Sequence, residues 1–244
     1  MPTAPLLHRL PFPLLAALCG LALAPLPAAT GHAAQAAAAS SLEFEACRLE
    51  HPLGLTAMPA ECATLEVPEN RAAAGGRRIG LFIARIPALS RNHAGDPLFV
   101  LAGGPGLAAT TFYTSVAPVF ERARRERDIV LIDQRGTGRS SPLNCAFDEE
   151  QMWDVDEAET TRLMRECRKL LEADHDLAQY TTSIAVADLD AVRAALGYSR
   201  VNLYGSSYGT RVAQHYARRF PDQTRALILD GIVRFSYHIL RRDD

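Results

Sequence analysis

Ser207 stands at the centre of Gly205-Ser206-Ser207-Tyr208-Gly209, with the strand-like Val201-Asn202-Leu203-Tyr204 before it and helix-compatible residues from Thr210 onward. A serine hydroxyl becomes a useful nucleophile only when its geometry is constrained and a base can take its proton. A sharp strand-to-helix turn supplies the constraint: the serine backbone is strained, flanking glycines keep Cβ atoms from colliding, and the hydroxyl is pushed above the sheet. The central position assigns the nucleophile to Ser207 and makes Ser206 a spacer. The helix that begins there aims its positive dipole end and free N–H groups at developing negative charge, so the Tyr208 amide is one candidate oxyanion donor.

Acyl transfer calls for a second donor. Leu101-Ala102-Gly103-Gly104-Pro105-Gly106 follows an apolar run, the place for such a group. Pro105 has no N–H, which leaves Gly104 as the candidate. Another glycine-bearing stretch, Asp133-Gln134-Arg135-Gly136-Thr137-Gly138-Arg139-Ser140, resembles a nucleotide-binding loop only superficially. It lacks the third glycine of a dinucleotide fingerprint, and neither glycine loop carries a Walker lysine. This turn is expected to brace the oxyanion loop, with Arg135 donating to backbone carbonyls.

The elements that must position these groups are legible in order. Glu61–Val67 and Ile79–Ile86 read as strands joined by a turn over Asn70–Gly76, an antiparallel hairpin. Leu98–Leu101 and Ile129–Ile132 are continuous apolar runs, suited to parallel strands buried on both faces. A polar stretch from Asn144 to Asp176 is expected to be helical around Thr160–Glu172. Leu189, Val192 and Leu196 then recur at helical spacing, with Gly197 as C-cap. The strand Val201–Tyr204 comes next, then a helix with Val212, Ala213, Tyr216, Ala217 and Phe220 on one face, then the strand Leu227–Leu229. Alternating strands and helices predict a mostly parallel sheet covered on both faces.

The motifs together resemble a known family. Gly103-Gly104-Pro105-Gly106, the Asp133–Ser140 stretch, Tyr180-Thr181-Thr182, Asp188-Leu189-Asp190, Gly205–Thr210 and Leu229-Asp230-Gly231 stand in the order seen in secreted tripeptidyl-aminopeptidase-like hydrolases, relatives of prolyl aminopeptidase. The resemblance covers Cys47 to Val233. It implies an α/β-hydrolase fold and a serine exopeptidase acting on peptides through an acyl-enzyme on Ser207. Esterases occur among such relatives, so a peptide or ester substrate stays open. In this fold the order is serine, acid, histidine, so acid and base are expected after Ser207. His215 lies eight residues along the helix, about 12 Å by helical rise, too far for a base. His238 falls in a tail without visible pattern, and Asp230 ends a strand where some hydrolases carry the acid. The expectation is therefore a hydrolase domain over residues 41–233 followed by an unrelated tail, 234–244, with the lid, the last strands and most of the triad missing. Such a chain is inactive alone, is completed by a separate C-terminal half, or is a non-catalytic remnant.

Composition narrows the partners. The chain has 244 residues, net charge −2, and a single lysine, Lys169, among 26 basic residues scattered without a stripe, which argues against nucleic acid. Nothing calls for a cofactor or a metal. Residues 1–40 read as a signal and processing segment: His8 and Arg9 precede the apolar run Leu14–Ala24, too short to span a bilayer, and small residues follow. The remaining Cys47, Cys62, Cys145 and Cys167 are an even set in a chain expected in the periplasm or outside the cell. Three pairings are possible, and short loops favour Cys47–Cys62 with Cys145–Cys167.

Overall fold

A computed structural model describes residues 42–73, 75–145 and 155–233. Seven strands form one sheet: β1 (Glu45–Glu50), β2 (Ala57–Pro68), β3 (Arg78–Ile86), β4 (Leu98–Leu101), β5 (Ile129–Ile132), β6 (Val201–Ser206) and β7 (Thr224–Asp230). Their spatial order is β1-β2-β3-β5-β4-β6-β7. The pairs β1–β2, β2–β3 and β3–β5 are antiparallel, whereas β4–β5, β4–β6 and β6–β7 are parallel. Five strands thus share one direction, and only β1 and β3 oppose it. The predicted signal segment and the tail 234–244 lie outside the described residues.

The chain leaves β4 toward β5 on one side and reaches β6 on the other. Right-handed crossovers made in opposite lateral directions put their helices on opposite faces. Accordingly α1 (Ala109–Val116) and the short α2 (Glu121–Arg124) cover one face, where Tyr113 and Phe120 pack on Leu98, Val100 and Leu131. On the other face, α4 (Thr182–Ala195) and α5 (Tyr208–Arg219) press Val186, Leu189, Val192, Val212 and Tyr216 onto Phe99, Leu101 and Leu203. The strands β4 and β5 are wholly buried, as their uninterrupted apolar runs require. Between them in sequence and β6 stands α3 (Glu157–Asp174), capped by the Asp156 carboxylate on the Glu159 N–H and buried only at Cys167. The disulfides pair Cys47 with Cys62, across β1 and β2, and Cys145 with Cys167.

Three strands depart clearly from the sequence-based expectation, one of them β7, which runs Thr224–Asp230 rather than Leu227–Leu229 because its flanking residues pair with β6 from Val201 to Ser206. The first strand, Glu45-Ala46-Cys47-Arg48-Leu49-Glu50, is absent from that expectation because an edge strand buries only Leu49 and so carries no apolar run. β2 begins at Ala57, through Pro59, rather than at Glu61. Residues before Glu61 pair with β1 alone, so one row of their backbone groups meets no strand, a position that tolerates proline.

Candidate active site

The carboxyl ends of β4, β5, β6 and β7 meet on one side of the sheet, at the point where the strand order reverses, the usual position of ligand sites in such sheets. Ser207 sits at the end of β6 with φ +49° and ψ −119°, left-handed backbone for a non-glycine residue, and its side is open to solvent. Such a conformation costs about 1–3 kcal/mol and persists only where neighbours over-determine it. Here they do. The Ser207 N–H donates to the Asp230 carbonyl (2.8 Å), and the Ser207 carbonyl accepts from the Thr210 N–H (2.9 Å) and the Thr210 hydroxyl (2.7 Å). The same Thr210 oxygen accepts from the Val233 N–H (2.9 Å), tying β6, α5 and the residues after β7 into one knot.

The glycines of the pentapeptide are required by close approach. A methyl on Gly205 would overlap the Gly209 carbonyl, and one on Gly209 would overlap the carbonyls of Leu101 and Ala102 at the end of β4. This last contact draws the β4 loop against the elbow. A Cβ on Gly103 would lie 3.1 Å from the Ser207 Cβ, so the backbone of that loop passes directly beside the serine. Gly104 follows with φ +101°. Neither the Gly104 nor the Tyr208 N–H has an acceptor among the described residues. The arrangement therefore brings together the three sequence-predicted site residues, Ser207, Gly104 and Tyr208, at one solvent-facing spot.

The turn after β5 has a division of labour that corrects the sequence reading. Asp133, fully buried, is the residue that reaches the oxyanion loop's helix: its carboxylate accepts from the Thr110 N–H (3.0 Å), the Thr110 hydroxyl and the Arg139 N–H (3.1 Å). Burial is the largest influence on that carboxyl and raises its pKa, against the lowering effect of these bonds. Arg135 does donate to carbonyls, but to those of Glu69 (2.8 Å) and Gln179 (3.1 Å), away from the oxyanion loop. Its main partner is Asp188 of α4, engaged by Nε at 2.6 Å and Nη2 at 2.8 Å, with Arg71 on the same carboxylate. Asp188 carries no role legible in the sequence, because its partner lies 53 residues away.

The described histidines lie elsewhere. His51 is in the β1–β2 turn, His93 faces Asp128, and His175 bonds the Tyr180 hydroxyl. His215 is on α5, and its pKa is lowered by burial and then by Arg219, Arg211 and Arg218. Among the described residues none hydrogen-bonds Ser207, as the helical-rise argument required for His215; His238 lies outside them. Asp230 turns its carboxylate to the Tyr204 hydroxyl (2.6 Å), which is pushed up to about 12 by burial and by that carboxylate. No cluster of histidine, cysteine or acidic residues among the described residues could hold a metal ion, and none of their helices is long and apolar enough to cross a membrane. Size alone would mislead here. The larger cavity, about 950 Å³ between Glu69, Arg77 and His175, contains none of the motif residues, whereas one of about 310 Å³ adjoins Pro105, Gly106 and Tyr208.

Residues 96–242 match the family described as the alpha/beta hydrolase fold, which is more than half of the chain. The chain belongs to the α/β-hydrolase family. Its match runs into the tail beyond Val233. Similar curated proteins include a tripeptidyl aminopeptidase of Streptomyces coelicolor, 30% identical over 82% of this chain and 40% of that protein. Serine protease Hip1 of Mycobacterium tuberculosis is 32% identical over 79% of this chain and 39% of its own length. A carboxylesterase B of Mycobacterium tuberculosis is 32% identical over 71% and 36%. This α/β-hydrolase chain spans about two fifths of the length of the relatives it matches.

Proposed function

We propose that this α/β-hydrolase chain carries the nucleophile and oxyanion hole of an exported serine peptidase that releases residues or short peptides from peptide N-termini. The observation that carries the reading is the over-determined, strained Ser207 beside two unspent amides, those of Gly104 and Tyr208. In the step this implies, a base takes the Ser207 proton and Oγ bonds the scissile carbonyl carbon. The carbonyl oxygen, now negative, receives the Gly104 and Tyr208 N–H groups. Collapse breaks the C–N bond, the amine leaves with a proton, and water later releases the acyl group. The names of the Streptomyces and Hip1 relatives support a peptide substrate. Two disulfides support export.

Base and acid are assigned to polypeptide outside the described residues; among the described residues the outer edge of β7 is unpaired, and its Leu227 and Ile228 are exposed. His238 is the one histidine of this chain that follows the described residues, and unless it completes the site the 244-residue chain alone is expected to show negligible turnover. An ester substrate is the second reading, favoured by the carboxylesterase relative. The test is a fluorophosphonate probe with adduct mapping, beside tripeptidyl anilide and aryl ester substrates. In a form completed by a C-terminal half or restored to full length, the adduct should fall on Ser207, vanish in Ser207→Ala and persist in Ser206→Ala. Labelling that survives Ser207→Ala overturns the assignment. Ester turnover without anilide turnover favours the second reading, and family-typical turnover by the isolated chain shows that His238 or another group of this chain completes the site.

A further inference from the structure

Beside the elbow lies the cavity of about 310 Å³, and its chemistry is set by where the polar ends of its walls are engaged. Tyr208, the residue after Ser207, forms one wall, and its hydroxyl is committed to the Thr182 hydroxyl (2.7 Å). Tyr180 forms another, and its hydroxyl donates to the buried Glu69 carboxylate (3.0 Å) and meets His175 Nδ1 (3.0 Å). Both tyrosines thus spend their polar ends on protein and leave ring surface for the cavity. Arg135 is the charged lining residue, but its side chain is 1% exposed and held by Asp188 and two carbonyls. Pro105, Gly106, Leu143 and Ala185 add aliphatic surface.

The turn is shaped to keep this space open. At Gly136, φ is +80°, and a Cβ there would crowd the Tyr180 ring and the Leu143 side chain. The Thr137 hydroxyl is used on the Gln134 carbonyl (2.8 Å). Hydrogen-bonding capacity remains in the Gln134 side-chain amide and the Thr181 hydroxyl, neither of which has a partner among the described residues. The volume is at the lower end of the about 300–1,000 Å³ range of small-molecule sites, enough for one side chain rather than an extended peptide.

We infer that this cavity is the subsite for the substrate side chain adjoining the scissile bond, and that it selects an uncharged one, apolar or aromatic. The inference rests on Ser207 as nucleophile, because the Gly103–Gly106 loop that borders the cavity also flanks that serine. A lysine or glutamate side chain entering would lose water and meet no free counter-charge, a cost that a neutral side chain avoids. Gln134 is the specificity-determining position, being partly exposed and able to present charge without disturbing the buried turn.

The test is calorimetric binding of tripeptide amides to the 244-residue chain carrying Ile228→Lys, introduced on the exposed β7 face to keep it monomeric, comparing Phe, Leu, Lys and Glu as the last residue, beside fluorophosphonate labelling of the chain completed by its C-terminal half. Phe and Leu peptides should bind at least tenfold more tightly than Lys or Glu peptides. Gln134→Glu should bring the Lys peptide to the affinity of the Phe peptide, and Ala185→Leu, which fills the floor, should weaken the Phe peptide at least tenfold. Equal binding of charged and uncharged peptides, or a preference unmoved by Gln134→Glu, overturns the subsite. Because labelling reads the nucleophile and binding reads the cavity, labelled Ser207 without peptide selectivity refutes the subsite alone. Selectivity with labelling that survives Ser207→Ala refutes the nucleophile and, with it, the assignment to the scissile bond.

Discussion

Asp188→Ala isolates the interaction on which the post-β5 turn depends. In the native chain the Asp188 carboxylate, 3% exposed, holds the Arg135 guanidinium, 1% exposed, through bonds of 2.6 and 2.8 Å. Arg71, on the same carboxylate, is one-third exposed and can turn to water, so its loss adds little. Arg135 cannot turn. It keeps the carbonyls of Glu69 and Gln179 but carries an uncompensated buried charge, and breaking such a pair costs about 3–5 kcal/mol. For a domain of this size each kcal/mol lowers Tm by about 2–4 °C, so the expected fall is about 6–20 °C. The double variant Asp188→Leu with Arg135→Met removes both charges and leaves two carbonyls short of a donor. It should cost no more than Asp188→Ala alone, the mark of coupling between contacting groups. Urea unfolding followed by circular dichroism, with coincident far- and near-ultraviolet transitions as the two-state check, gives both numbers. A single-variant cost below about 1 kcal/mol, or a double variant equal to the sum of its parts, would refute the claim that this pair is buried and coupled.

Three further outcomes are expected. Ser207→Gly should raise stability by about 1 kcal/mol, since relief of the φ +49° conformation exceeds the entropic cost of glycine; an unchanged or lower Tm would mean the elbow is not strained. His215 should titrate below 6.5 by NMR. The unfolded chain then binds more protons between the folded and unfolded pKa values, so stability falls as pH drops through that window, and His215→Gln should flatten the fall; a midpoint at or above 6.5 contradicts it. Ile228→Lys should shift the isolated chain from aggregate toward monomer in size-exclusion chromatography, because β7 presents an exposed apolar edge; an already monodisperse native chain would refute this.

Elements with a strong local signal were legible from the sequence. Leu98–Leu101 and Ile129–Ile132 have in the structure the bounds their apolar runs predicted, because strands buried on both faces must be apolar at every position. The elbow was equally plain, since Gly205 answers a collision with Gly209 only four residues on, although Gly209 itself is required by the distant carbonyls of Leu101 and Ala102. Weakly patterned edge sequence was not: β1 buries one side chain and β2 enters through a proline.

What joins distant residues had no local trace. Arg135 with Asp188, Glu69 with Tyr180, and the Asp230 carbonyl under the Ser207 N–H are separated by 53, 111 and 23 residues. The residue types that can do chemistry are written in the chain, because strain and dipole at a tight turn are local. Which buried charge is neutralised, and which tyrosine shows a cavity its ring rather than its hydroxyl, depends on partners that only the reversal of strand order at β4 brings within hydrogen-bonding distance.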